Sequence, residues 1–202
     1  MPRSRTSLPD ALAWLLSALC SPFVVFAWLI VLFVRHTAAT TDHFFYWSLL
    51  TLIVTTSIPA IFILWQVRRG RIGDAHIARR EDRLSVFAVF LVSLAVGALL
   101  LWRLDAPRLF RILSLLILAN AIPAGLITTQ WKISMHSWVI AAALTVYALS
   151  FGTPTWFWWL ALLVPAVVWA RVTRGRHTLW QGVGGALAGV LVTSLFYVFI
   201  RQ

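Results

Sequence analysis

His177 and Gln181 stand four residues apart near the end of the chain, the spacing that puts two side chains on one helix face. Arg171 lies six residues before His177. Further upstream, Lys132 and His136 are also four apart, with Ser134 between them. Arg79, Arg80 and Arg83 form an RRxxR cluster in the middle of the chain. Two histidines, one lysine and several arginines describe an anion site. A phosphate needs several fixed N–H donors around its oxygens. One imidazole could attack phosphorus, and a second could protonate the departing oxygen. Backbone amides that open a helix near Ser134 would add further donors. Metal ligation fits poorly. Only three acidic residues lie near these stretches, Asp74, Glu81 and Asp82, and a cationic cluster repels a metal ion. Cys20 is the single cysteine, so there is neither a disulfide framework nor a cysteine metal site. No cofactor is called for.

The elements that must position these residues are apolar. Of 202 residues, 61% are hydrophobic and only 11% are charged. A soluble domain carries roughly 25% charged residues, so a water-soluble globule and a disordered chain are both excluded. The apolar residues fall into seven blocks: 12–34, 44–66, 85–102, 109–129, 137–150, 155–170 and 178–200. Helices of about 20 residues cross a bilayer core, and seven would occupy about 140 positions. The expected fold is an all-α integral membrane protein. It is a single helical bundle of six to seven transmembrane helices over residues 1–202. The first block, with Pro22 inside it, is either one kinked span or an interfacial segment leading into a shorter one. Residues 67–84 form the longest polar loop, and Asp105 with Pro107 suits a tight hairpin turn between blocks.

Parity brings the unusual residues together. Two spans separate the 68–83 loop from 132–136, and two more separate that from 171–177. All three polar segments therefore emerge on one membrane face. That face carries 12 of the 17 basic residues, which places the active-site loops in the cytoplasm. The formal charge of +11 reflects this topology and contact with anionic headgroups. Nucleic acid is not an expected partner, because nearly all the arginines sit in short loops. The expected location is a plasma membrane, the inner membrane of a bacterium.

At these positions the chain resembles the type 2 phosphatidic acid phosphatases. Arg171-x5-His177 followed by three residues and Gln181 is similar to the family's third motif, SR-x5-H-x3-D. Ile133-Ser134-Met135-His136 is similar to its second, PSGH, and His76-x6-Arg83-Leu84 to its first, K-x6-RP, in degraded form. The resemblance covers residues 70–190. It implies metal-independent hydrolysis of a lipid phosphate or diphosphate monoester through a phosphohistidine. It makes His177 the nucleophile and His136 the general acid. Arg171, Arg83 and Lys132 would hold phosphate oxygens, with Arg79, Arg80 and the amides at Ser134 in support.

The departures define the alternatives. The last motif residue is Gln181 where the family has aspartate. A glutamine carbonyl can accept the Nδ1–H of His177, but it supplies no negative charge. Asp74 is the candidate to restore that charge from the long loop. Lys132 is the candidate to replace the cation lost at His76. Substrates in view are phosphatidate-type lipids and polyprenyl phosphates or diphosphates. Two readings stand beside hydrolysis: a lipid phosphotransferase, and a non-catalytic lipid-binding or transport protein. Gly185-x3-Gly189 reads as close helix packing inside the core. The sequence leaves the oligomeric state open.

Overall fold

A computed structural model describes residues 7–37, 40–70 and 80–201, without the side chains of 34, 37, 41, 44, 80–84, 109 and 201. All regular structure among the described residues is helical. In chain order it comprises α1 (Leu8–Leu19), α2 (Pro22–Thr37), α3 (Thr41–Leu52), a one-turn π-helix (Ile53–Ser57), α4 (Ile58–Arg68), α5 (Arg80–Arg103), α6 (Arg108–Gln130), α7 (Met135–Phe151), α8 (Phe157–Ala161), α9 (Leu163–Thr173) and α10 (Leu179–Arg201). The helices group into two compact units, residues 1–25 with 132–195 and residues 26–131 with 196–202.

Among the described residues, four stretches are long and apolar enough to cross a membrane: Phe45–Arg68, Ser85–Arg103, Phe110–Gln130 and Leu179–Ile200. A fifth is reached if Leu8–Leu19 and Pro22–Phe33, bent by 50°, count as one span. The expectation of six to seven is therefore corrected to four or five. The shortfall lies in the blocks at 137–150 and 155–170. The first becomes α7, whose 17 residues extend about 26 Å at about 1.5 Å each, short of a hydrocarbon core of about 30 Å. The second breaks at Leu162 into α8 and α9. The bend in the first block falls at Ser21–Pro22, where a proline cannot continue the ladder of the helix before it.

In the second unit, Pro59 sits in the first turn of α4, just past the π-helix. A proline there donates no amide and crowds the carbonyl four residues back. The chain answers with the wider turn, in which the Ile58 amide donates to the Ile53 carbonyl. The Ser93 hydroxyl of α5 donates to the Val54 carbonyl within that turn. Gly97, one turn further along α5, allows the approach: a Cβ there would lie 2.8 Å from Val54 Cγ1. The α5–α6 hairpin closes as Asp105 and Pro107 suggested. Asp105 takes a positive φ of 48°, and the Ala106 amide donates to the Leu101 carbonyl at 2.9 Å. That is the Schellman ending of a helix.

In the first unit, α1 packs on α9, and α9 packs on α7. α7 and α10 meet backbone to backbone. A Cβ on Gly185 would lie 2.6 Å from the Ser134 carbonyl oxygen, and one on Gly189 would lie 2.4 Å from that of Trp138. Both pairs advance together along the chain, so the two helices run parallel. The Gly185-x3-Gly189 face is thus filled inside this unit by the start of α7. Gly182 faces α9 in the same manner, its added Cβ falling 2.7 Å from Val168 Cγ1. The small-residue face of α10 brings together the start of α7, the end of α9 and its own first turn.

Candidate anion site

Lys132, His136, Arg171, Arg174, Arg176 and His177 all lie where one of these helices begins or ends. α9 ends at Arg174 in a Schellman motif: the Gly175 amide donates to the Val172 carbonyl at 2.8 Å, and the Arg176 amide to the Arg171 carbonyl at 3.0 Å. Gly175 has φ +61°, a conformation glycine adopts without steric cost. The His177 amide also reaches the Arg171 carbonyl, at 3.3 Å. This compact turn explains why six residues separate Arg171 from His177 in sequence while their backbones touch.

His177 is fixed from the other side by the segment before α7. Its Nδ1 lies 3.2 Å from the main-chain carbonyl of Lys132. A carbonyl only accepts, so the neutral ring carries its proton on Nδ1 and its lone pair on Nε2. Burial, and then the neighbouring Arg171 charge, hold the imidazole at about 4, against an ordinary 6.5. Contacts with the Lys132 carbonyl and the Gln181 side chain oppose this only in part. At neutral pH the ring is uncharged.

Arg171 is 4% exposed. Its Nε and Nη1 find no hydrogen-bond partner among the described residues. Burial, then the charges of Arg174 and Arg176, lower its guanidinium to about 10, so it stays charged at neutral pH. A buried charge with unmet donors is costly unless something compensates it. An anion is the kind of group that would compensate it.

Ser134 is fully buried and caps α7, its Oγ accepting from the Ser137 amide at 3.4 Å and from the Ser137 hydroxyl at 3.0 Å. Its own amide donates to the Gln181 carbonyl at 3.1 Å, tying the start of α7 to the first turn of α10. His136 is the second residue of α7 and half-buried. Lys132 is exposed. Two helix N-termini therefore open at this place, each with positive dipole character.

Gln181 has a second partner besides the His177 ring. Its Oε1 accepts from the Thr178 amide at 3.1 Å, while the Thr178 hydroxyl accepts from the Gln181 amide at 3.3 Å. This is a reciprocal capping box at the start of α10. Thr178 and the Lys132 carbonyl are the two features that motif matching passes over. The T-x-x-Q spacing before an apolar run was the available signal for the first; no sequence signal marks a main-chain acceptor 45 residues away.

The structure thus brings together Lys132, Ser134, Arg171, His177 and Gln181, with His136 in the adjoining turn. Arg80 and Arg83 lie in the first turn of α5, in the second unit, and their side chains fall outside the description. Arg79 and Asp74 lie outside the described residues. The polar loop at 67–84 is shorter than its composition suggests, because α4 runs to Arg68 and α5 starts at Arg80. Among the described residues no group of three or more His, Cys, Asp or Glu is placed to hold a metal ion.

No protein-family model, curated protein or solved structure matches this chain.

Proposed function

We propose that this is an integral membrane phosphatase that hydrolyses a lipid phosphate or diphosphate monoester through a phosphohistidine on His177. The observation that carries this reading is the pairing of Arg171 with His177: a buried guanidinium with two unmet donors beside a neutral imidazole whose lone pair is on Nε2. In this reading Arg171 and Lys132 hold the phosphate oxygens, while the Ser134 amide is taken by the Gln181 carbonyl. Nε2 attacks phosphorus as the ester P–O bond breaks. His136 gives the departing lipid oxygen its proton and recovers one from the water that then cleaves the P–N bond. Inorganic phosphate leaves, and His177 returns to its Nδ1–H form. The donors are cationic side chains, so no metal is required.

Phosphatidate-type lipids and polyprenyl phosphates or diphosphates fit such a site beside long apolar helices. The site faces the cytoplasm of a bacterial plasma membrane. The test is phosphate release from phosphatidate or a polyprenyl phosphate by the purified protein in detergent with EDTA. The His177→Ala variant should release none. Release that persists in the variant removes the nucleophile assignment.

One observation favours a second reading, a lipid-phosphate binding or transport protein without turnover. Gln181 is occupied in the capping box, and no carboxylate among the described residues acts on His177 to offset the charge of a phosphoimidazolium. Under that reading vanadate and lipid phosphate bind, the His177→Ala variant binds them more weakly, and no phosphate is released. Transfer to an acceptor other than water would use the same intermediate. It would appear as phosphate leaving the donor lipid only when an alcohol acceptor is present.

A further inference from the structure

The hydrogen bonds around His177 form a closed ring. The imidazole Nδ1 meets the Lys132 carbonyl at 3.2 Å. Two residues on, the Ser134 amide donates to the Gln181 carbonyl at 3.1 Å. Gln181 is in turn clasped to Thr178 twice, at 3.1 and 3.3 Å. Thr178 is covalently joined to His177, and the ring closes. Every link but one is a main-chain interaction or the imidazole itself. The exception is the capping box, where two side chains choose the geometry.

The box matters because of what lies on either side. His177 is the residue just before the N-cap of α10, outside the helix, where backbone torsions are least constrained. Its amide donates to the Arg171 carbonyl at the long distance of 3.3 Å, and the Gln181 side chain also reaches the ring. Without the box, Thr178 has no side-chain hold on the first turn of α10. The turn 174–178 could then reorient while α9 and α10 stay in place. The imidazole would leave the Lys132 carbonyl, and the neutral ring would be free to carry its proton on either nitrogen.

We propose that Thr178 is a positioning residue: its hydroxyl, locked with Gln181, keeps the His177 ring on the Lys132 carbonyl and so keeps the lone pair on Nε2. Gln181 acts through the same lock, besides its own side-chain contact with the His177 ring. The catalytic consequence rests on the phosphohistidine reading; the effect on the ring does not.

The experiment uses full-length protein in detergent, labelled with ¹⁵N at histidine, with His177 assigned by its loss in His177→Gln. Wild-type His177 should show a single neutral tautomer, protonated at Nδ1. Thr178→Val should show a mixture of both tautomers, and Thr178→Ser should restore the single form. Thr178→Gly, tolerated at N-caps, gives the same reading should the valine variant fail to fold. With lipid phosphate, kcat should fall on the order of 10-fold in Thr178→Val with KM little changed, as expected for lost alignment. A Thr178→Val protein that keeps the pure Nδ1–H form overturns the proposal, whether or not the wild type turns over. A tautomer shift in a protein that releases no phosphate upholds the positioning role and removes the phosphatase reading alone.

Discussion

His177 Nδ1 and the main-chain carbonyl of Lys132 lie 3.2 Å apart, joining the start of α10 to the segment that leads into α7. A backbone carbonyl can fix a tautomer but cannot carry charge. His177 therefore has an orienting partner without an acidic one, and burial beside Arg171 holds it at about 4. On the proposed phosphohistidine reading the reactive form is the neutral ring. As pH falls through about 4 that form is lost, so the acid limb of kcat/KM should fall near 4 and not near 6.5. The same depressed value makes the unfolded chain bind more protons than the folded one between about 6.5 and 4. Stability should accordingly decline as pH drops across that window, and His177→Gln should remove this part of the decline. The profile of phosphate release and thermal melts at matched pH values check both outcomes.

Arg171 sets the second prediction. Its unmet donors imply that the empty protein carries an uncompensated buried charge. Replacement by methionine, similar in length and apolar, should raise the stability of the ligand-free protein, on the order of 1 kcal/mol. The same change should abolish stabilisation by vanadate or tungstate, which mimic the phosphoryl group. It should also let His177 titrate higher, since the Arg171 charge is among the causes that depress it. Thermal melts with and without oxyanion, and the histidine resonances as a function of pH, read the three effects. A wild-type protein whose melting temperature does not respond to any oxyanion would contradict the anion assignment.

Much of this was legible in the sequence, and the failures have physical causes. Block composition gave the all-helical, membrane-like character because a long apolar run has few other solutions. Parity put Lys132–His136 and Arg171–His177 at one end, and the hydrogen bond between Lys132 and His177 agrees with that. Span number was overcounted because composition does not register where Leu162 breaks a helix or how short α7 is. The i, i+4 spacing of Gln181 from His177 points to their contact. The spacing does not show the second, local partner, Thr178 three residues earlier, which forms a capping box with Gln181. The buried state of Arg171 was likewise invisible, as an arginine at a helix end reads equally well as a surface anchor.

Gly185 yields a third prediction, on the coupling between packing and site. Its missing Cβ leaves room for the Ser134 carbonyl, and that oxygen is main chain, 2.6 Å from where the Cβ would stand. Main chain cannot swing aside as a side chain tip can. Gly185→Val should force α10 away from the start of α7, at a cost of about 1–3 kcal/mol of overpacking strain. The Ser134–Gln181 hydrogen bond would be the first to lengthen. Oxyanion affinity should therefore drop along with stability. Leu187→Val, at an exposed position of α10, should leave both close to wild type. Thermal melts and vanadate titrations on the two variants separate the local clash from a general intolerance of α10 to substitution.

The orientation of the site gives the last prediction. Cys20 is the only cysteine and is buried, so a Cys20→Ser background is silent to thiol reagents. Thr173, the last residue of α9, is exposed and close to the Arg171 turn without belonging to it. Thr173→Cys in that background reports the side on which the site opens. Basic residues favour the cytoplasmic face, where juxtamembrane arginines are retained. A membrane-impermeant maleimide should then label Thr173→Cys in inverted vesicles or lysed cells and leave intact cells unlabelled. Arg171, Arg174 and Arg176 all crowd this turn, and an anion site would itself require some of them, which weakens their vote on topology. Labelling of intact cells would therefore reverse the assigned side while leaving the anion site in place, and the substrate would then be a lipid phosphate presented in the outer leaflet.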